Sequence, residues 1–385
     1  MNTSDHIYVD LNAFNSSTNN QNQTLLLSER RNGAFLFDAS QYYMTVARFY
    51  LENPRFPVII PVVDLSQTSS VDVNKLVYKI YMEYWNGTQV AVAEQALMFV
   101  PDDKTQPTPT TISVKDLTFN KYYWLYSYES FVEIMNTALK SCYASTSKGI
   151  TTDTTLQPDI SMAISNFSTH EFVFTARNDF FNDIDPTSNV SSSNNKVRVY
   201  FNAPLMALFA GFRSIKTLIT LSGLVVYANR LRLFNWGDNY TKPASGDGRA
   251  FISILTDIPS TNTWNPIQSI VFTSGVIPVS QNLIGANQVF NAPTGFENSG
   301  SNSNVSPIIT DLQLPFEPSN TYRPFIYYTP SSAYRLIDMV SNNNLTDLSV
   351  EVFWRDRYGS LHAFELLPFC SVSLKLLFRH NSLGV

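Results

Sequence analysis

Residues 350–380, VEVFWRDRYGSLHAFELLPFCSVSLKLLFRH, carry the clearest structural signal in the chain. Val350 to Trp354 alternates apolar and polar positions, the period of a half-buried strand. Asp356-Arg357-Tyr358-Gly359 then reads as a tight turn, with Gly359 free to take a positive φ. The chain returns through residues 361–367. Ser371-Val372-Ser373-Leu374-Lys375-Leu376-Leu377-Phe378 makes a last strand apolar enough to be central in a sheet, ended by the charges of Arg379 and His380. Successive antiparallel strands of this kind suit the closing strands of a jelly roll.

Working outward, strand-like runs recur at 42–51, 56–63, 76–85, 90–100, 171–176, 196–201, 224–234, 250–257, 267–278, 324–329, 348–355 and 371–378. Clusters of Pro, Gly, Asn and Ser separate them, as in sandwiches and barrels. Low-complexity segments at 15–24, 101–111, 184–195, 235–248 and 285–306 read as loops. No repeat of fixed period is visible, which disfavours a propeller or a solenoid. Two short helices interrupt the pattern. In residues 130–143, Phe131, Ile134, Met135, Ala138, Leu139 and Cys142 recur at helical spacing, and Ser130 with Glu133 has the form of a capping box. Near residue 202, Asn202 can cap a helix that has Pro204 in its first turn, Leu205, Leu208, Phe209 and Phe212 on one face, and Gly211 near its end. Both are expected to pack on sheets.

The composition agrees with a mostly β protein that hides much of its surface. The 385 residues include 27 Phe, 20 Tyr and 5 Trp against only 26 basic and 31 acidic residues, so charged residues make up 15%, where about 25% is usual. A net charge of -5, with no Lys or Arg in the first 29 residues, gives no footprint for strong nucleic-acid binding. Cys142 and Cys370 are too few for a disulfide framework and are expected to be buried thiols. The polar N-terminus lacks a signal core, and no apolar run is long enough to span a membrane. Without secretion, the Asn-x-Ser/Thr triplets at Asn15, Asn86, Asn166, Asn239 and Asn344 are expected to stay unmodified.

Chemistry is sparse. None of His6, His170, His362 and His380 has a His or Cys partner at zinc-ligand spacing, and no nucleophile elbow, P-loop or dinucleotide fingerprint occurs. Ser245-Gly246-Asp247-Gly248-Arg249 precedes a strand, so its amides gain no helix dipole for phosphate. The carboxylates Asp102 and Asp103, and Asp179, Asp183 and Asp185, lie in polar loops and read as solvated surface groups, not as the paired acids of a glycosidase. A Ca²⁺ site from Asp179, Asn182 and Asp183 has suitable oxygen ligands but no binding-loop pattern. His362, on the strand after the Gly359 turn, reads as a hydrogen-bonded structural histidine. No catalytic, cofactor, metal or nucleic-acid site is expected, and the chain is not read as an enzyme.

Several blocks resemble one family, the penton or minor capsid proteins of virophages and related polinton-like viruses. The closing region from Arg323 to His380 is similar to the family's C-terminal region through Tyr334-Arg335-Leu336-Ile337-Asp338, the Phe353-Trp354 strand, the Asp356 to Gly359 turn and the last strand. YYMTVARFYLENPRFPVIIP from Tyr42, SFVEIMNTALK from Ser130, YFNAPLMALFAGF from Tyr200 and TWNPIQSIVFTSGVIPV from Thr263 follow in the same order. The resemblance implies an all-β chain with a single jelly roll, assembled as a homopentamer at the fivefold vertices of an icosahedral capsid. It implies neighbours made of double-jelly-roll major capsid protein, and assembly in the host cytoplasm into virions. The chain exceeds what the eight strands of a jelly roll require. Residues 1–70 and 251–385 are therefore expected to form the base, with 71–250 as an inserted outer β-rich domain. The alternative is a receptor- or glycan-binding viral spike that meets a host or helper-virus surface ligand, which exposed Trp236 and Trp264, flanked by Asn, would favour.

Overall fold

A computed structural model describes residues 6–18, 23–52, 55–66, 69, 71–85, 90–110, 119–147, 160–166, 171–177, 197–221, 224–233, 240–245, 249–280, 282–284, 304–313, 325–330 and 335–383. The chain divides into two units: Met1–Phe56 with Pro266–Val385, and Pro57–Asn265. These borders lie outside the 70/71 and 250/251 positions expected from sequence. Burial explains the shift, because Val58, Ile59 and Val63 at one end, and Ile252, Ile254 and Trp264 at the other, belong to the core of the inserted unit.

The first unit is a jelly roll of two antiparallel sheets. In one, the order is His6–Phe14, Ser371–His380, Tyr42–Glu52 and Phe325–Tyr328, with Ile337–Asp338 also on Tyr42–Glu52. In the other it is Ile308–Leu312, Ile267–Thr273, Asp347–Asp356 and Leu361–Ala363, with Leu26–Arg30 on Asp347–Asp356. Phe49 and Phe272 meet edge to face at 5.0 Å between ring centroids, so the two sheets face each other. The closing strand is paired on both sides, as its composition suggested. Leu376 stands between Val9 and Val46, and Leu374 between Leu11 and Phe49, all of them buried. Arg48 and Val46 oppose the consecutive residues Lys375 and Leu376, which leaves Ala47 as the extra residue of a bulge.

The turn after Asp356 forms as read, with Gly359 at φ 82°. Asp356 organises it: its Oδ1 accepts the Tyr358 and Ser360 amides at 2.8 and 2.9 Å. Other expectations fail for local reasons. The apolar run 56–63 is not a strand but makes single bridges, Ile59 to Leu125 and Val63 to Leu76. Pro57 and Pro61 lack the N–H groups a ladder needs. Residues 235–248, read as loop, include the strand Tyr240–Ser245, and the polar N-terminus includes the nine-residue strand His6–Phe14.

The second unit also has two antiparallel sheets. One runs Ser214–Leu221, Leu224–Leu233, Val197–Phe201, Lys75–Trp85, Val90–Met98; the other runs Tyr240–Ser245, Arg249–Leu255, Glu171–Arg177, Ser161–Asn166. A 20-residue helix, Tyr128–Ser147, packs on Lys75–Trp85, Val90–Met98 and Ser161–Asn166. It is longer than the expected 130–143 and starts earlier. Ser127, not Ser130, supplies the cap by accepting the Glu129 amide at 3.1 Å. Its buried face is the expected one, with Phe131, Met135, Leu139 and Cys142 at 0% exposure. Asn136 fastens the helix to a strand, donating to the Met162 carbonyl at 2.9 Å and accepting the Met162 amide at 2.7 Å.

The short helix is Ala203–Leu208, capped as expected by Asn202, whose Oδ1 accepts the Leu205 amide at 3.2 Å. The same side chain accepts the Lys79 amide at 3.0 Å and donates to the Val77 carbonyl at 2.8 Å, so one residue ends a strand, starts a helix and ties both to a neighbour.

Candidate assembly surface

The residues that could carry chemistry are scattered and occupied. Asp102 accepts the Tyr126 amide at 2.8 Å, tying its loop to a distant segment, and Asp103 accepts the Thr105 amide and hydroxyl at 3.0 and 2.6 Å within a local turn. Asp179, Asn182, Asp183, Asp185, His170, Trp236 and residues 246–248 lie outside the described residues. Among the described residues no three His, Cys, Asp or Glu side chains are placed to hold a metal, and no helix is long and apolar enough to cross a membrane. His362 is the hydrogen-bonded structural histidine expected. It is buried, stacks on Trp354 at 4.0 Å between centroids, and its Nε2 lies 2.9 Å from Asp356 Oδ2. His380 is half-buried and meets Ser382 and Gln41. Cys142 is buried, but Cys370 is only half-buried, because it follows the exposed turn residue Phe369. Asn15 is buried and donates to the Leu366 carbonyl at 2.9 Å.

Trp264 corrects one expectation. Far from an exposed stacking platform, it is 0% exposed and sits among Phe172, Phe131, Phe209 and Tyr128 at 5.1 to 5.4 Å between centroids. Its Nε1 donates to the Leu208 carbonyl at 2.6 Å. It contributes nothing to glycan recognition.

What the jelly roll does offer is a sheet face. In the sheet led by His6–Phe14, alternate residues point inward (Val9, Leu11, Leu374, Leu376) and the rest point outward. The register places them in rows. Phe14 shares a row with Ser371, Glu52 and Phe325; Asn12 with Ser373, Tyr50 and Tyr327; Asp10 with Lys375 and Arg48; and Tyr8 with Leu377 and Thr45. Tyr8, Phe14 and Tyr327 are 58%, 59% and 62% exposed. Tyr50 and Phe325 have ring centroids 5.9 Å apart.

The charges on this face are already partnered. Asp10 lies 3.2 Å from Lys375 Nζ and 3.5 Å from the Arg48 guanidinium. Glu52 accepts the Ser371 amide at 2.8 Å and the Tyr50 hydroxyl at 3.3 Å. Hydrogen bonds from Ser371, side chain and amide, hold the Glu52 carboxyl below its usual range. Partial burial and the neighbouring Glu52 charge push the Tyr50 phenol up. A face rich in aromatics with its charges neutralised has the composition of an interface, not of a reaction site. Composition alone could signal such burial, but only the strand register assigns it to a face.

Comparison with known proteins agrees. The model of the family described as Sputnik minor capsid protein V18/19 matches residues 7–380. Structural protein V19 of Sputnik virophage is 23% identical over 195 residues, covering 49% of this chain and 83% of V19. Uncharacterized protein V18 of the same virophage is 25% identical over 108 residues, covering 27% of this chain and 62% of V18. Among solved structures, a chain of the 3.5 Å cryo-EM structure of the Sputnik virophage superposes with a TM-score of 0.77 at 20% identity, covering all of both chains. The mavirus penton protein superposes with a TM-score of 0.62 at 15% identity, covering 98% of this chain and 99% of the penton chain. The family is described as a minor capsid protein and V19 as a structural protein, and this chain is a structural capsid protein, not an enzyme. With a family model spanning residues 7–380 and a jelly-roll fold shared with a penton protein, the chain belongs to the Sputnik minor capsid protein V18/19 family.

Proposed function

We propose that the chain is the vertex subunit of an icosahedral capsid, five copies forming a closed ring at each fivefold corner. A cyclic ring uses a heterologous contact, one flank of a protomer against the opposite flank of the next. The jelly-roll unit forms the ring, and the unit Pro57–Asn265 serves as the outer domain. The ring's rim abuts double-jelly-roll major capsid protein, and assembly takes place in the host cytoplasm. The observation that carries this reading is the likeness to the mavirus penton over nearly the entire chain, inserted unit included.

Immunogold labelling of intact particles with an antibody against residues 57–265 tests it. Gold at the vertices is the expected result, and gold spread over the faces or seen only after disruption contradicts it.

A further inference from the structure

We propose that the outward face of the sheet formed by His6–Phe14, Ser371–His380, Tyr42–Glu52 and Phe325–Tyr328 seats a second copy of this chain and is one side of the lateral contact in the ring. The inference deepens the homopentamer reading and rests on it. Three observations carry it. Exposed aromatics stand on both edges of the face, Tyr8 and Phe14 on one and Phe325 and Tyr327 on the other, and patches of this kind mark association surfaces.

The second observation is charge. Asp10, Glu52 and Asp338 stand against Arg48, Lys375 and Arg379 on the face, so it is neutral on a chain of net charge -5. Two copies of an acidic chain repel, and a face of balanced charge, with Asp10 paired to Lys375 and Arg48, lets them meet without that penalty. A strongly acidic or basic foreign partner would gain nothing there.

The third is the edge. Among the described residues His6–Phe14 is a nine-residue edge strand without Pro, Lys or a register shift, and its one carboxylate, Asp10, is turned to Lys375 and Arg48 on the sheet face, so little protects the edge. Covering it in an assembly removes that hazard. The size also fits: strands about 4.8 Å apart and about nine residues long give a plan area on the order of 600 Å². One side of a standard interface is about 800 Å².

The test compares the wild-type chain with a Phe14→Glu/Tyr327→Glu variant and with Ile258→Glu, which places the same charge at an exposed apolar position of the other unit. Native mass spectrometry across a concentration series reads assembly, and circular dichroism reads folding. The double variant should be a folded monomer, with self-association weakened at least about thirtyfold, while Ile258→Glu assembles like wild type. Hydroxyl-radical footprinting of the wild type gives a second measurement independent of any substitution: oxidation of Tyr8 and Tyr327 should fall several-fold on assembly. A double variant that rings normally, or equal oxidation of Tyr8 and Tyr327 in assembled and dissociated protein, overturns the face and leaves the homopentamer standing. Loss of an oligomer that is not a pentamer supports the face and overturns the fivefold reading. A wild type that stays monomeric throughout overturns both.

Discussion

Replacing Trp264 by Ala should unfasten the inserted unit while leaving the jelly roll closed. The indole is fully buried, stacked at 12° on Phe172, and flanked by Phe131 and Phe209 from the two helical segments of that unit. Truncating a buried Trp to Ala typically costs about 3–5 kcal/mol through lost transfer energy and the cavity left behind. Trp264→Phe keeps most of the packing but removes the donor to the Leu208 carbonyl, a loss of about 1–3 kcal/mol for a buried acceptor left without its partner. Two units make a single melting temperature a poor measure, so amide hydrogen exchange resolved by peptide is the right assay. Peptides from Tyr128–Ser147 and Glu171–Arg177 should exchange about a hundredfold faster or more in Trp264→Ala, with a smaller effect in Trp264→Phe. Peptides from Ser371–His380 should be unchanged. Exchange within about threefold of wild type in the inserted unit would refute the reasoning, since it would mean that the indole is not a packing centre.

Other perturbations test separate parts of the structure. Leu376→Pro removes a ladder donor from a strand paired on both sides together with a fully buried side chain; it should yield insoluble protein on expression, and a soluble, folded product contradicts the central placement. Gly211→Ala puts a Cβ 2.1 Å from the Ile258 carbonyl oxygen and 2.9 Å from Thr256 Cβ, so overpacking should cost about 1–3 kcal/mol by chemical denaturation. Glu52 sets a pH dependence. Its carboxyl is held below the usual value in the folded state, so the unfolded chain binds the extra proton. The stability it adds is full above about pH 4.5 and lost as pH falls through the folded value; Glu52→Gln should flatten that acid limb of the stability profile.

The closing region was legible because its signals are local. Alternation, a turn with a glycine at positive φ and an apolar last strand specify a hairpin and a central strand without reference to distant residues. The helix face was legible by periodicity, although its cap was not, since Ser127 and Ser130 offer the same hydroxyl chemistry three residues apart. His6–Phe14 alternates too, with Ile7, Val9, Leu11 and Ala13 on one side, but that pattern lies among Asn- and Ser-rich neighbours and is stabilised by a strand at the other end of the chain. Trp264 was misread for the opposite reason. Its Asn neighbours look like a surface loop, and only contacts with residues 128, 131, 172 and 209 bury it. The aromatic face escaped notice because it exists only in the register of four strands drawn from both ends of the sequence.

Native mass spectrometry of the purified full chain, under virion-like salt and pH, tests the vertex assignment most directly. Five chains of 43.4 kDa should give a dominant closed species of about 217 kDa with no ladder of larger forms, as a cyclic heterologous ring requires. A dominant trimer, an open series of oligomers or only monomer at every concentration would contradict it.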